Sequence, residues 1–326
     1  MVNLEQARRF CHDMTLARAF EEAAAEQYTQ GRIGGFLHLY PGEEAVAIGS
    51  LHAADPGDYV VSTYREHVHA LARGITPRAV MAELFGRSTG CSGGYGGSMH
   101  LFDPDHRFLG GYAIVGETFP VAIGVGYWLR MTEQPDAVFC FFGDGAANQG
   151  TFHESLNMAA LWKLPVLFIC ENNHYQIGTE IHRHTAVPEI YRHGVAYGIP
   201  GRRVDGMDVV AVYEATREAL AHLRMGNGPY LLECETYRFR GHSMADSGAY
   251  RAALEVSELM ARDPVRRFRE QALAAGWLDE AACARIDAEV AETVADAVRY
   301  AEESPEPESL GGPLHAQPID PYGGRP

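Results

Sequence analysis

Two short apolar runs flank a segment of helical periodicity in the centre of the chain, and this pattern constrains the fold most. Residues 137–142 (AVFCFF) and 165–171 (PVLFICE) have the length and composition of strands buried in a parallel sheet. Between them, residues 150–162 place Phe152 and Leu156 at helical spacing. We therefore predict a βαβ unit with a right-handed crossover, whose strands run parallel.

The alternation of helical and strand-like segments continues on both sides of this unit. The predicted elements are helices at residues 4–30, 77–85, 119–130 and 209–225, and strands at residues 59–63 and 230–236. We predict an α/β fold with a doubly wound, mostly parallel sheet. Residues 264–302 are charged and Ala-rich, which indicates a helical C-terminal extension of two helices. We place one domain at residues 1–303 and an extended, Pro/Gly-rich tail at residues 304–326.

Charge, hydropathy and cysteine spacing exclude several classes of protein. A formal net charge of −16 disfavours nucleic acid as a partner, because phosphate binding needs a basic surface. No apolar run reaches the ~20 residues that span a bilayer, so we expect a soluble protein without a membrane partner. The six cysteines form no CxxC pair, and Cys140 and Cys170 lie inside apolar runs as core residues. We expect a reducing, cytoplasmic location.

Polar residues follow both strands of the central unit. Asp144 comes directly after the first strand, and Asn173 follows the second. If the strands are neighbours, their carboxyl ends lie about 5 Å apart, at the edge where open α/β sheets bind ligands. Carboxylate and amide oxygens suit Mg²⁺, which keeps coordination places for phosphate oxygens. Gly145 and Ala146 allow the backbone to approach such an anion, and the next helix offers N–H groups.

A dinucleotide site is the competing interpretation of this glycine-rich segment. GDGAANQG at residues 143–150 lacks the third glycine of the GxGxxG pattern. Moreover, Asp144 would repel a pyrophosphate unless a cation lay between them. A metal-bridged diphosphate explains both features, and a loop without any ligand is the remaining alternative.

The segment at residues 143–173 (GDGAANQGTFHESLNMAALWKLPVLFICENN) resembles the thiamine diphosphate motif of the pyruvate dehydrogenase alpha-chain family. The resemblance covers about residues 10–300, and it implies a sheet of the thiamine diphosphate-binding type. The other matching motifs are FLHLY at 36–40, YR at 64–65, GGSMH at 96–100, IVG at 114–116, VDGM at 204–207 and YRFRGHSM at 237–244.

This resemblance implies thiamine diphosphate and Mg²⁺ as cofactors and assigns roles to particular residues. Asp144, Asn173 and the carbonyl of Tyr175 would hold Mg²⁺. Ala113 and Val115 would lie against the aminopyrimidine ring. The residues implied to contact the diphosphate are Tyr64, Arg65, Gly145, Ala146 and His242.

The resemblance also implies partners. In this family the glutamate that helps to activate the cofactor belongs to a beta chain, so the alpha chain alone holds half of the site. The implied assembly is a heterotetramer that decarboxylates pyruvate after glycolysis and acetylates the lipoyl group of an acyltransferase core. GHSMAD at residues 241–246 favours the pyruvate type over the acetoin type, and the branched-chain 2-oxo acid type is less similar. A specialised acyl-donating or carboligating paralogue and a cofactor-binding scaffold remain alternatives.

Two histidines are candidates for orienting or protonating the substrate, since imidazole titrates in a useful range. His38 lies in a Gly-flanked loop and His242 follows a predicted strand. The alternative for both is a structural role. The resemblance favours function. Four further histidines show no spacing typical of a metal site, and we interpret them as structural: His67, His69, His100 and His153.

Several positions depart from the family pattern. Ala113 carries a Cβ where glycine would let the cofactor ring approach. Glu117 is interpreted as a carboxylate at the rim of the site, and its alternative role is to replace the absent activating glutamate. Ser243 matches a serine that kinases modify in mitochondrial relatives, and we interpret it as a hydrogen-bonding loop residue. The departures are Val68, Tyr112, Ala113, Glu117 and Gln176.

Overall fold

A computed structural model of the chain describes residues 2–308, and strands form its centre. The strands are β1 (Tyr59–Thr63), β2 (Phe108–Tyr112), β3 (Val138–Gly143), β4 (Val166–Asn172), β5 (Tyr175–Gln176), β6 (Thr179–Glu180), β7 (Gly201–Asp205) and β8 (Tyr230–Glu235). Six of them form one sheet in the order β2-β1-β3-β4-β8-β7, and every pair in it is parallel. β5 and β6 form a separate antiparallel pair.

Ten α-helices are found in the described part of the chain. They are α1 (Leu4–Thr29), α2 (Glu44–Leu51), α3 (His67–Arg73), α4 (Pro77–Leu84), α5 (Thr118–Met131), α6 (Gly150–Trp162), α7 (Val209–Arg224), α8 (Ala253–Met260), α9 (Pro264–Ala274) and α10 (Glu280–Glu303).

Local side chains define the helix ends. The Asn3 side chain accepts a hydrogen bond from the backbone N–H of Gln6 at 2.8 Å, which caps α1. Thr76 caps α4 and is followed by Pro77 in the first turn, where a missing N–H costs nothing. α3 ends at Gly74, whose φ of +103° lies in the left-handed region that glycine adopts without strain.

Helices cover both faces of the sheet. Along β3 successive side chains point to opposite faces, so Phe141 enters one core and Phe142 the other. The first core includes residues of α1, α2, α7 and α10, and the second includes residues of α5 and α6. β3 and β4 are direct neighbours, with Phe142 opposite Cys170. The predicted α/β, doubly wound fold and its central βαβ unit are confirmed.

Besides α8, β5 and β6, the elements that were not predicted from the sequence are α2, α3, β2 and β7. α2 is buried on every side, so its sequence has no polar face to reveal a helix. α3 is too short to show a clear period. β2 (FLGGY) contains two glycines, and β7 (GRRVD) is an edge strand with two exposed arginines. Glycine and charge both hide a strand from composition-based reasoning.

The helical C-terminal extension is confirmed, and α10 packs against α1 and α4. Beyond it, the Ser88 N–H donates to the carbonyl of Pro305 at 3.0 Å, and the Tyr95 hydroxyl donates to the carbonyl of Glu308 at 3.3 Å. The predicted tail therefore starts against the glycine-rich loop after α4. Residues 309–326 lie outside the described residues, and the domain boundary at residue 303 stays a prediction. Within residues 2–308, no helix is both long and apolar enough to cross a membrane.

Candidate functional site

The strand order reverses between β1 and β3, which creates a crevice outside their carboxyl ends. β1 pairs with β2 on one side, whereas β3 leads to β4 and β8 on the other. Open parallel sheets bind ligands at such a topological switch point. Tyr64 and Arg65 follow β1, Asp144 follows β3 and Asn173 follows β4. The fold thus brings residues from three strand ends to one place.

A pocket of about 280 Å³ lies at this point, close to the lower size of small-molecule sites. All eleven residues that the sequence singled out for the site line it. These residues are His38, Tyr64, Arg65, Ala113, Val115, Asp144, Gly145, Ala146, Asn173, Tyr175 and His242. A larger open groove of about 1080 Å³, near Arg32, Arg87 and Glu302, shares no lining residue with this pocket.

Asp144 and Asn173 are the oxygen-bearing side chains at the ends of β3 and β4. Asp144 is 1% exposed, and its Oδ2 has no hydrogen-bond partner among the described residues. Nε2 of His184 lies 3.4 Å from this oxygen. The Asn173 amide is oriented on both sides: its Oδ1 accepts from the Tyr175 N–H at 3.2 Å, and its Nδ2 donates to Glu43 at 3.1 Å.

Arg65 ties two loops of the pocket together. Its guanidinium donates to the backbone carbonyls of Leu39 and His242, the latter at 2.9 Å. Its Nε lies 3.8 Å from Oε2 of Glu43, and the side chain is buried. Arg65 therefore fixes the loop of His38 against the loop of His242 and places a positive charge beside both.

The two candidate imidazoles meet inside the pocket. The His38 ring lies 4.4 Å from the Tyr64 ring and 5.1 Å from the His242 ring, measured between centroids. Burial, together with the positive charge of Arg65, lowers the pKa of His38 to about 3. Burial and the charges of Arg65 and Arg238 lower the pKa of His242 to about 4. Both rings are neutral near pH 7, and Nδ1 of each lacks a hydrogen-bond partner in the described part of the chain.

Two buried carboxyl groups of the pocket were missed from the sequence. Burial raises the pKa of Glu43 to about 7, although the charge of Arg65 acts in the opposite direction. Glu171 accepts hydrogen bonds from the Tyr40 hydroxyl and from Nε2 of His69, the latter at 3.1 Å. His69 does not line the pocket, but it holds the carboxyl group of Glu171, which does. Glu43 directly precedes α2, a helix that the sequence did not reveal, so no sequence pattern marks it.

His184 is a third residue that sequence reasoning missed. It lies in the loop after β6 as one of three histidines within residues 182–193, and no motif in the sequence singles it out. Its position beside Asp144 arises only from the folding of that loop over the end of β3.

The departures from the family pattern fall in different places. Tyr112, Ala113 and Gln176 line the pocket, whereas Val68 is buried in the first core and Glu117 is exposed before α5. The Gln176 side chain packs over the Gly145 backbone, because a Cβ added at residue 145 would lie 2.7 Å from its Cγ. Gln176 therefore fills the part of the pocket that the absence of a side chain at Gly145 leaves open.

The chemistry of the donor set fits a hard cation with an anionic ligand. A buried carboxylate oxygen without a partner is costly unless a donor or cation meets it, and Asp144 Oδ2 is such an atom. Within residues 2–308, no group of three or more His, Cys, Asp or Glu side chains is arranged to hold a metal. A carboxylate, an amide and a backbone carbonyl suit Mg²⁺, which retains places for phosphate oxygens.

Fold and pocket together define an α/β protein with a cavity of small-molecule size at the switch point of a parallel sheet. Residues 12–309 match the family model described as dehydrogenase E1 component. The chain belongs to this family.

Its relatives carry consistent names. Pyruvate dehydrogenase E1 component subunit alpha-3, chloroplastic, from Arabidopsis thaliana is 46% identical over 313 residues, which cover 94% of this chain and 73% of that protein. The Porphyra purpurea pyruvate dehydrogenase E1 component subunit alpha is 46% identical over 302 residues, covering 90% and 88%. The subunit of that name from Rhizobium meliloti (strain 1021) is 47% identical over 297 residues, covering 91% and 85%.

Proposed function

We propose that this chain is the alpha subunit of a heteromeric 2-oxo acid dehydrogenase that decarboxylates pyruvate and passes the acetyl group to a lipoyl carrier. Family membership and the names of the relatives support the reaction class. The observation that carries the proposal is the convergence of Asp144 and Asn173, at the ends of two neighbouring strands, on one pocket.

The cofactors that fit this pocket are thiamine diphosphate and Mg²⁺. Asp144, Asn173 and the carbonyl of Tyr175 would hold the ion. Ala113 and Val115 would lie against the aminopyrimidine ring. The residues that would contact the diphosphate are Tyr64, Arg65, Gly145, Ala146 and His242, and all of them line the pocket.

Thiamine diphosphate, when bound, supplies the electron sink that decarboxylation needs. The residues of the chain bind, orient and exclude water. His38 and His242 each present an Nδ1 that has no partner among the described residues, so each neutral ring is free to hold a substrate oxygen or to move a proton. Burial, together with the positive charge of Arg65, keeps both rings neutral, and the hydrogen bond from Arg65 to the His242 carbonyl holds that loop in place.

The partners in this proposal are a beta chain and an acyltransferase core that carries lipoyl groups. The beta chain would complete the site in a heterotetramer by supplying the activating glutamate. A cytoplasmic location stays a prediction: some relatives are bacterial, and the Arabidopsis relative is named as chloroplastic.

The test is turnover by the chain purified with its beta subunit. The substrates are pyruvate, a branched-chain 2-oxo acid and acetoin, with thiamine diphosphate, Mg²⁺ and an artificial electron acceptor. We expect the highest kcat/KM for pyruvate, and no turnover by an Asp144→Ala complex. Cofactor binding without turnover of any of the three substrates would contradict the proposal and favour a specialised paralogue or a scaffold.

A further inference from the structure

We propose that His184 is a positioning residue for the metal site: its Nε2–H holds Oδ2 of Asp144 and so orients the carboxylate toward the cation. This inference rests on the proposed function, in which Asp144 is a metal ligand. The two atoms are 3.4 Å apart. Both are buried, and neither has a hydrogen-bond partner within residues 2–308. Because neither atom has another hydrogen-bond partner in that range, a shift of a few tenths of an ångström would let each satisfy the other.

The other side of the His184 ring determines which nitrogen carries the proton. Nδ2 of Asn148 lies 3.1 Å from Nδ1 of His184 and 2.9 Å from the Thr185 hydroxyl. That hydroxyl in turn lies 2.7 Å from the same Nδ1. An amide NH₂ only donates, so Nδ1 must accept. The neutral ring then carries its hydrogen on Nε2, directed at Asp144.

Asp144 and Asn148, which contact opposite sides of the His184 ring, belong to one short segment. Asp144 begins, and Asn148 ends, the single 3-10 turn that follows β3. Asn148 sets the tautomer of His184, and His184 holds the carboxylate at the start of the same turn. Because its Nδ1 accepts and its Nε2 donates, His184 has no lone pair left for the cation. It acts through Asp144 and is not a metal ligand.

A matched pair of substitutions distinguishes the role of Nε2 of His184 from that of Nδ1. His184→Gln places an amide donor near the position of Nε2. His184→Asn keeps a polar group near Nδ1, beside Asn148 and Thr185, but does not reach Asp144. His182→Ala serves as the control, because the side chain of this nearby histidine is 72% exposed.

The experiment uses the complex purified with the beta subunit. Calorimetry measures thiamine diphosphate binding across a series of Mg²⁺ concentrations. We expect His184→Asn to raise the half-saturating Mg²⁺ concentration about 10- to 100-fold, as loss of a residue that supports a metal ligand does. At saturating Mg²⁺ its affinity for thiamine diphosphate returns to the wild-type value. His184→Gln and His182→Ala stay within about threefold of wild type.

Three results would overturn the inference. One is an unchanged Mg²⁺ dependence in His184→Asn. Another is an equal loss in His184→Gln and His184→Asn, which indicates a general packing role. A third is a loss of cofactor affinity that saturating Mg²⁺ does not restore. If the wild-type complex binds no thiamine diphosphate at any Mg²⁺ concentration, the proposed function fails, and this inference fails with it.

Discussion

The imidazole rings of His38 and His242 meet edge to face in the pocket, with centroids 5.1 Å apart and an interplanar angle of 77°. One ring precedes α2, and the other follows β8, so the contact depends on the whole fold. Arg65 holds the pair together through the backbone carbonyl of His242. Burial of the rings and the charge of Arg65 keep both imidazoles neutral.

We expect neither ring to titrate between pH 5.5 and pH 8, because their pKa values are lowered to about 3 and about 4. The measurement is a pH titration of ¹⁵N-labelled histidine by NMR, with His38→Asn and His242→Asn to assign the signals. A midpoint above about pH 6 for either pocket histidine would contradict the described electrostatics.

A third histidine, His67, has a raised pKa and affects stability. Burial favours the neutral form of His67, yet the carboxylates of Glu21 and Glu66 raise its pKa from 6.5 to about 9. Because the pKa of His67 is higher in the folded state, its protonation contributes its full stabilisation below pH 6.5. This contribution is lost as the pH rises through 9. We expect the free energy of unfolding to fall over this range.

The test compares wild type with Glu21→Gln, which removes the main charge that faces His67. Urea unfolding at pH 6.5 and pH 9 should show a smaller loss of stability in the variant than in wild type. Glu22→Gln, at an exposed neighbouring position, should leave the wild-type loss unchanged. Equal losses in wild type and Glu21→Gln would show that this pair does not contribute to the pH dependence.

The glycine-rich loop after α4 depends on one buried carboxylate. The carboxylate oxygens of Glu83 accept hydrogen bonds from the backbone N–H groups of Ser92, Gly94, Gly96 and Gly97, at 2.7 to 3.1 Å. Removing the carboxylate leaves these donors without their acceptor, at a cost of about 1–3 kcal/mol for each one that stays buried. We expect Glu83→Ala to make residues 86–99 sensitive to proteolysis.

Limited proteolysis with mass spectrometry locates the cleavage. Glu83→Gln should give an intermediate result, since its amide keeps one acceptor oxygen but turns an NH₂ toward the remaining donors. Because Met99 lines the pocket, cofactor affinity should fall in parallel with loop order. A Glu83→Ala loop as resistant as that of wild type would mean that the glycine backbone holds this conformation without the carboxylate.

The sheet was predictable where burial dominates its sequence. β3 and β4 are covered on both faces, so they are continuous apolar runs. β2 was missed because it contains Gly111, whose lack of a side chain is required by a distant part of the chain. A Cβ at this position would lie 2.2 Å from the Glu66 carboxyl carbon. Tertiary packing of this kind leaves no local pattern.

The residues of the site also divide into those that the sequence predicted and those that it did not. Asp144 and Asn173 were predictable because each directly follows a strand, and the strands are neighbours. Glu43 and His184 were not, since Glu43 contacts Asn173 and His184 lies beside Asp144 from loops that the strand pattern does not place. Sequence reasoning therefore identified the residues at the strand ends and missed those that orient them.

The most direct test of the central claim is whether the cofactor binds through a cation held at Asp144. Calorimetry of the complex with its beta subunit would measure thiamine diphosphate binding with Mg²⁺ and with EDTA, for wild type and Asp144→Ala. We predict binding that requires Mg²⁺ and weakens in Asp144→Ala by more than the roughly 100-fold that loss of a supporting residue causes. Equal affinity in EDTA, or in Asp144→Ala, would contradict the account.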